Sequence, residues 1–420
     1  MRKRLWLILA VGVIALAFGV VGMMDRLRFG LLHVGYGTPI PWALWVVFYI
    51  YFIGLSAGAF LISSLVYVFG FKQYEAIGRI AVFTALVSLI TALLFIWVDL
   101  GHMERFTEVF TRPGFHSPLA WIVWLYTAYF FLLVAEAWFL MRRSFARGAR
   151  QGGLKGGLYR ILALGTQEGT PADEARDMRI VRVLGSIGVP LAIAFHGGTG
   201  TVFAVTIARA YWYSGLFPLL FLVSALASGG ALLTAVAAFI IPNGYQRHRE
   251  LVISLGRLLL ILLLVEVLME VAEFLVSLYG TAPAHTAPIQ EQLFGPNWWI
   301  FWMLGLIGAV GLPMLVLVTA GRRSGLAVGL VALLSAICFI GIRWNIVLPG
   351  FALPELPGLE YALVEPHLNY LARYTPTIME WQVSAFAIGI ALILFAVGYH
   401  LLPLEKEPST ETWQRQEVSR

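Results

Sequence analysis

Charge is what this sequence has least of. Only 12% of its 420 residues are Asp, Glu, Lys or Arg, against roughly 25% in a soluble globular domain. That is too little to cover a globule of this size in water, which excludes a soluble enzyme and a disordered chain. Cysteine is almost missing too: Cys338 stands alone in an apolar run. One cysteine excludes an internal disulfide framework, an iron–sulfur cluster and a CxxCH haem attachment, and Cys338 itself reads as a small core hydrophobe. What is present is 60% hydrophobic and 14% aromatic residues with a mean hydropathy of +0.82. This composition implies an all-α, polytopic integral membrane protein with little chain left for an extramembrane domain.

A spanning helix needs about 20 predominantly apolar residues. Stretches 5–24, 42–70, 79–99, 118–141, 184–209, 215–241, 255–279, 298–319, 324–345 and 381–402 qualify, predicting about ten transmembrane helices. The first follows Arg2, Lys3 and Arg4 as a signal peptide would, but no A-x-A site follows it, so it reads as a retained anchor. Ten spans put both termini on one side. With the N-terminus inside, 21 of the 29 basic residues are inside, nine of them in 142–182, and only Arg26, Arg28, Arg105, Arg112, Arg209, Arg343 and Arg373 are outside. Lys/Arg excess marks cytoplasmic loops, so both termini are expected in the cytoplasm. The same asymmetry accounts for the net charge of +6 without nucleic acid.

The inner loop 142–182 is Gly/Arg-rich with a helical stretch around TPADEARDMRIVRVL, and is expected to lie against anionic lipid headgroups. The outer segment 346–380 holds Pro349, Pro354, Pro357, Pro366 and Pro376, which forbid a continuous helix and predict an ordered cap. Leu55-Ser56-Ala57-Gly58-Ala59 in span two and Leu226-Ala227-Ser228-Gly229-Gly230-Ala231 in span six form a weak internal repeat of small residues, which let helices approach closely. The expected organisation is an anchor helix and outer loop (1–41), a four-helix bundle (42–209), a second four-helix bundle (210–345), and a cap, last helix and cytoplasmic tail (346–420).

An Asp or Arg at mid-bilayer costs about +2.5–3.5 kcal/mol on the insertion scale, so polar residues inside spans are candidates for function. On span three Thr84, Ser88, Thr91, Phe95, Asp99 and His102 follow steps of three and four and share one face. They are either helix–helix glue or a polar path from the inner side to the outer boundary. Glu266, Glu270 and Glu273 share a face of span seven; they either pair with Arg209 and Arg343 or relay protons. Glu136 lies near enough to the inner face to snorkel. His196 is the deepest histidine, with Gly197, Gly198 and Gly200 beside it leaving room for close helix packing or a planar ligand. Bis-histidine haem is not expected, because the other histidine in a span, His400, lies near the opposite surface. No metal-ligand cluster is evident. Trp45 and Tyr49 share a face with the small residues of span two and should point inward. With Tyr126 as a further ring, such an aromatic slot beside a carboxylate, a histidine and an arginine suits a quinone.

Together these runs resemble the NrfD/polysulfide-reductase membrane-subunit family, in particular its ten-helix branch with the hydrogenase-2 membrane subunit. The carrying residues are Pro41-Trp42-Ala43-Leu44-Trp45, Gly54-Leu55-Ser56-Ala57-Gly58, Ile77-Gly78-Arg79, Asp99-Leu100-Gly101 with Glu104-Arg105-Phe106, and Ser117-Pro118-Leu119-Ala120-Trp121. His196, Trp212, Pro218, Ser224 to Gly229, Arg343 to Val347, Pro376, Glu380-Trp381 and Leu402-Pro403 follow in order. The resemblance implies a subunit without haem or cluster that exchanges electrons with menaquinone or ubiquinone near the outer surface of a bacterial inner membrane. Its implied partners are a ferredoxin-like iron–sulfur subunit and, through it, a molybdopterin enzyme, a hydrogenase or a multihaem cytochrome. In the eight-helix branch a histidine before the small-residue motif lies at the quinone; the matching position here is Tyr49.

The sequence therefore predicts a quinone/quinol-interacting subunit of a respiratory oxidoreductase complex, not catalytic alone, with coupling to proton translocation as a further expectation. Trp45, Tyr49, Asp99, His102, Arg105, Tyr126 and His196 are its candidate quinone residues. Thr84, Ser88, Thr91, Asp99, Glu136, Glu266, Glu270 and Glu273 are its candidate proton path, with Arg209, Arg343 and Glu380 as structural or ion-pair residues. The alternatives are a proton-coupled secondary transporter, which fits repeated bundles and buried carboxylates but usually breaks its helices at mid-membrane, and a passive anchor for an electron-transfer complex.

Overall fold

The computed structural model describes residues 3–37, 40–150, 152–167, 170–280, 282–321, 323–351 and 374–405. Most of the expected outer cap and the tail beyond residue 405 lie outside the described residues. Ten helices are long and apolar enough to cross a membrane: α1 (Lys3–Phe29), α2 (Leu44–Tyr67), α3 (Glu75–Asp99), α4 (Pro118–Gly148), α5 (Pro171–Ala204), α6 (Phe217–Phe239), α7 (Arg249–Tyr279), α8 (Ile300–Thr319), α9 (Gly325–Val347) and α10 (Ile378–Leu401). The side holding the start of α1 and the end of α10 is the basic face below, the other the opposite face.

All ten expected spans are helices, but several boundaries move for physical reasons. Helix α4 continues to Gly148 and α5 begins at Pro171, and charges in these extensions pair with one another. The buried Asp177 accepts from Nε of Arg142 and of Arg143, both at 2.8 Å. Arg142 also lies over the Trp138 and Phe139 rings. Thr170 and Asp173 close a reciprocal capping box at the start of α5. Between them Gly153–Ala163 is a short helix, so much of the expected basic loop is helical. At the other end α5 stops at Ala204, short of 209, and turns follow. Helix α8 is wound as a π-helix over Ile300–Gly311 before an α-helical remainder. Pro313 at the junction has no N–H for the carbonyl four residues back and its ring crowds that carbonyl, so wider winding there follows from chemistry.

The helices pack around a crossing of α2 and α6. Helix α2 also touches α3, α5 and α9, while α6 touches α5, α7 and α9. The two small-residue runs meet there. A Cβ on Gly229 would lie 2.6 Å from Cα of Gly58, and one on Gly58 would strike the Ala225 carbonyl. Helices α1 and α10 pack on each other, with α10 also touching α3 and α2, and a Cβ on Gly19 would collide with the Phe386 backbone.

Gly58→Leu is expected to force α2 and α6 apart and to lower the thermal midpoint of the detergent-solubilised protein or abolish its accumulation, since overpacking costs about 1–3 kcal/mol even where neighbours shift. Gly230→Ala, whose Cβ would meet only Ile62 and Leu262 side-chain carbons at 3.5 and 3.7 Å, should leave the midpoint unchanged. A fluorescence-detected melt by size exclusion checks both.

Candidate functional site

At the opposite face, polar groups from four segments converge on the end of α3. Arg26, in the last turn of α1, is 2% exposed. Its Nε donates to the Val98 carbonyl at 2.8 Å and its Nη2 to the Leu100 carbonyl. A cation on the carbonyl end of a helix is favourable, and this one also faces Asp99. The Asp99 carboxylate accepts from the Tyr36 hydroxyl at 2.7 Å. Burial first, then the Asp99 charge and hydrogen bond, raise the Tyr36 phenol above its ordinary range, so it remains a donor. The Tyr36 ring lies edge-on to Trp45 and to Tyr374.

Glu380 stands beside this pair, fully buried. It accepts from Gly35 N at 2.8 Å, Thr377 N at 2.9 Å, Thr377 Oγ1 at 3.1 Å and the Tyr374 hydroxyl. It thereby caps α10 in a capping box, and its own carbonyl accepts from Trp45 Nε1 at 3.1 Å. Burial, then the Glu380 charge and hydrogen bond, hold the Tyr374 phenol protonated. The result is an aromatic enclosure of Tyr36, Trp45, Tyr374 and Trp344 with two carboxylates and one guanidinium at its edge. Next to Tyr374 a cavity of about 30 Å³ is lined by polar Glu291, Gln292, Asn297 and Asn345.

The expected quinone residues are only partly gathered here. Trp45 and Asp99 are. Tyr49 and Tyr126 are not: their hydroxyls bond each other at 2.7 Å, and Tyr126 bonds Thr199 Oγ1 at 2.7 Å, a hydroxyl chain joining α2, α4 and α5. Trp45 and Tyr49 share a helix face, but their partners stand on different helices, α10 and α4. His102 and Arg105 turn outward, their side chains 65% and 60% exposed, and His102 Nδ1 lies 2.9 Å from Glu104. The chain leaves its helical direction after Asp99, so the helical spacing that placed His102 on the Asp99 face no longer applies. His196 is fully buried between the Phe195 and Phe221 rings, and neither ring nitrogen has a partner among the described residues.

The polar face of α3 is buried but interrupted. Thr91 Oγ1 donates to its own helix at Val87, 2.8 Å away, and Thr84 Oγ1 has no partner among the described residues. Between Thr91 and Asp99, Phe95 stacks on Phe48 and Phe52 at 5.0 and 5.7 Å. Glu136 lies inside α4, 1% exposed, with both carboxyl oxygens unpartnered among the described residues.

A second polar cluster occupies α6–α9. Arg343 is fully buried over the Phe221 ring. It is admitted because Gly54 has no side chain: a Cβ there would lie 3.1 Å from Arg343 Nη2. Glu266 and Glu270 face Arg343, while Arg209 lies over the Phe351 ring at 4.8 Å. Towards the opposite face, Glu273 accepts from Ser214 at 3.1 Å. Gln292 Nε2 donates to the Tyr211 hydroxyl at 2.6 Å and to the Asn345 carbonyl at 3.2 Å. Among the described residues no group of three His, Cys, Asp or Glu has a metal-holding arrangement.

Arg26, Tyr36, Tyr374, Tyr211 and Gln292 were missed by sequence reasoning. All come from span ends or connections, where periodicity carries no facing information. The one available signal was Arg26 itself, a basic residue on the side where few are expected.

The family described as "Polysulphide reductase, NrfD" matches residues 33–355. A selenate reductase subunit of Mesobacillus selenatarsenatis is 40% identical over 92% of this chain and 91% of its own length. A putative dimethyl sulfoxide reductase membrane subunit of Halobacterium salinarum is 32% identical over 94% and 91%. The Hdr-like menaquinol oxidoreductase integral membrane subunit of Archaeoglobus fulgidus is 26% identical over 94% and 89%.

Removing the carboxylate in Glu380→Ala leaves the buried Tyr374 hydroxyl and the half-buried Thr377 amide without their acceptor, the buried group alone costing about 1–3 kcal/mol. A clear fall in thermal midpoint is expected. His102→Ala, at an exposed position, should change it by less than about 0.5 kcal/mol equivalent.

Proposed function

We propose, from the premise that this chain belongs to the NrfD polysulphide-reductase family, that it is the quinone/quinol-exchanging membrane subunit of a respiratory oxidoreductase complex. Membership and the names of its relatives support an integral membrane subunit of a reductase complex. The relative named a menaquinol oxidoreductase subunit supports a quinone as the substrate. The observation that carries the site is the Asp99–Tyr36–Arg26 constellation beside Trp45 at the opposite-face end of α3.

A quinone headgroup needs a planar apolar slot, and each oxygen needs a group able to give or take a proton as electrons move. Here Trp45 and Tyr374 supply ring surface. Asp99 exchanges a proton with a headgroup oxygen, and Tyr36 orients the carboxylate by donating to it. Arg26 holds a guanidinium beside Asp99, fixed by its bonds to the Val98 and Leu100 carbonyls. Electrons leave to, or arrive from, an iron–sulfur partner docked on the same face, since this chain has a single cysteine and cannot ligate a cluster itself. The excess of basic residues on the other face supports a cytoplasmic location for both termini in a bacterial inner membrane.

Asp99→Asn keeps shape and removes the proton acceptor. In the assembled complex it should lower quinol-dependent turnover at least tenfold with normal assembly, and Tyr36→Phe should lower it less. His102→Ala should keep turnover near wild type. Full quinol turnover by Asp99→Asn overturns the role given to Asp99.

A further inference from the structure

Buried ionisable groups without a hydrogen-bond partner among the described residues occur at Glu136 of α4 and, as an oppositely charged pair, at Glu266 and Arg343, away from the Asp99 site. Glu266 and Arg343 are each 0% exposed. Neither carboxyl oxygen of Glu266 and neither Nη of Arg343 has a hydrogen-bond partner among the described residues. An ionised group in that condition inside a dry membrane protein costs several kcal/mol, and buried polar atoms left unsatisfied by protein are commonly satisfied by water. Space for water lies one helical turn away. A cavity of about 50 Å³ is lined by Tyr211, Glu270, Glu273, Gln292, Asn345 and apolar walls that include Phe301 of the π-helical segment. A cavity holds a water at about 10–15 Å³, so this one has room for roughly three or four.

The three glutamates descend from this space in register. From Glu273 to Glu266 is seven residues, about 10 Å along a helix rising about 1.5 Å per residue. We propose that α6–α9 and their connections enclose a water-filled inlet, open at the opposite face, that leads past Glu273 and Glu270 to the buried Glu266–Arg343 pair and exchanges protons with it. The groups facing that pair come from every neighbouring helix: Tyr51 of α2, His196 of α5, Ser224 of α6 and Glu270 of α7. His285 faces Glu273 at the mouth. Arg343 is the one guanidinium among them. It rests on Gly54 of α2, so a change of charge at Glu266 is felt across the α2–α6 crossing at Tyr51 and His196. The inlet is independent of the quinone site and does not pass through Asp99.

The single native cysteine makes a direct test available. Cys338→Ala makes this chain cysteine-free; Glu273→Cys, Glu270→Cys and Leu268→Cys are placed in it within the membrane-embedded complex, and modification is read by mass spectrometry on this chain's peptides alone. A charged, membrane-impermeant methanethiosulfonate is added to one face at a time. Glu273→Cys and Glu270→Cys should react from the opposite face only, at least tenfold faster than Leu268→Cys, which is 69% exposed on the lipid-facing surface. Reaction of Glu270→Cys no faster than Leu268→Cys, or from the basic face, overturns the inlet. Infrared spectra of the wild-type complex in H2O and D2O supply a second readout without cysteine. The carboxyl signal that Glu266→Gln removes should shift within mixing time, and a signal that resists exchange overturns the proposal. Neither readout involves quinol turnover, so their failure leaves the Asp99 site untouched.

Discussion

The close crossing of α2 and α6 is the constraint on which the remaining architecture depends. Helices in lipid gain little by burying apolar surface, so contact must come from intimate packing and polar bonds. Gly58 and Gly229 supply the packing, with backbone against backbone. Both small-residue runs are thus used on each other. Around this crossing α3, α5 and α9 pack on α2, and α5, α7 and α9 pack on α6. Gly54, one turn from the crossing, leaves the space that Arg343 occupies.

Two differently treated sets of charge follow from this arrangement. Near the opposite-face end of α3, every buried ion is bonded: Arg26 to helix carbonyls, Asp99 to Tyr36, Glu380 to two amides and two hydroxyls. That is a preorganised site, with its donors and charges fixed before any substrate arrives. In α6–α9 Glu266 and Arg343 face each other without a direct hydrogen bond. The first arrangement supports the proposed headgroup site and the second the proposed inlet.

Much of the fold was legible in the sequence because the bilayer imposes one simple requirement, about 20 apolar residues per span. All ten helices were located by it. The repeat at Gly58 and Gly229 was legible as well, but not that the two runs meet face to face, since composition says nothing of partners. Helix ends were less legible. Arg142 and Arg143 read as loop charge and instead lie in α4, paired with Asp177 of the expected helical stretch that begins α5. For the site, Asp99 and Trp45 were readable from polarity and facing. Tyr36, Arg26 and Tyr374 were not, because each reaches the site from a connection or a helix end. His102 was assigned to the Asp99 face by continuing a helical period past the residue where α3 ends, and Arg105 by the family resemblance; both side chains turn outward.

The central claim, that a quinone headgroup sits against Asp99, Tyr36 and Trp45, is tested most directly by photolabelling the purified, assembled complex with an azidoquinone and mapping the cross-links by mass spectrometry. Labels competed away by excess quinol should fall on peptides containing Tyr36, Trp45 or Asp99. Competable labels confined to α7 and α8, or none on this chain, would contradict the account.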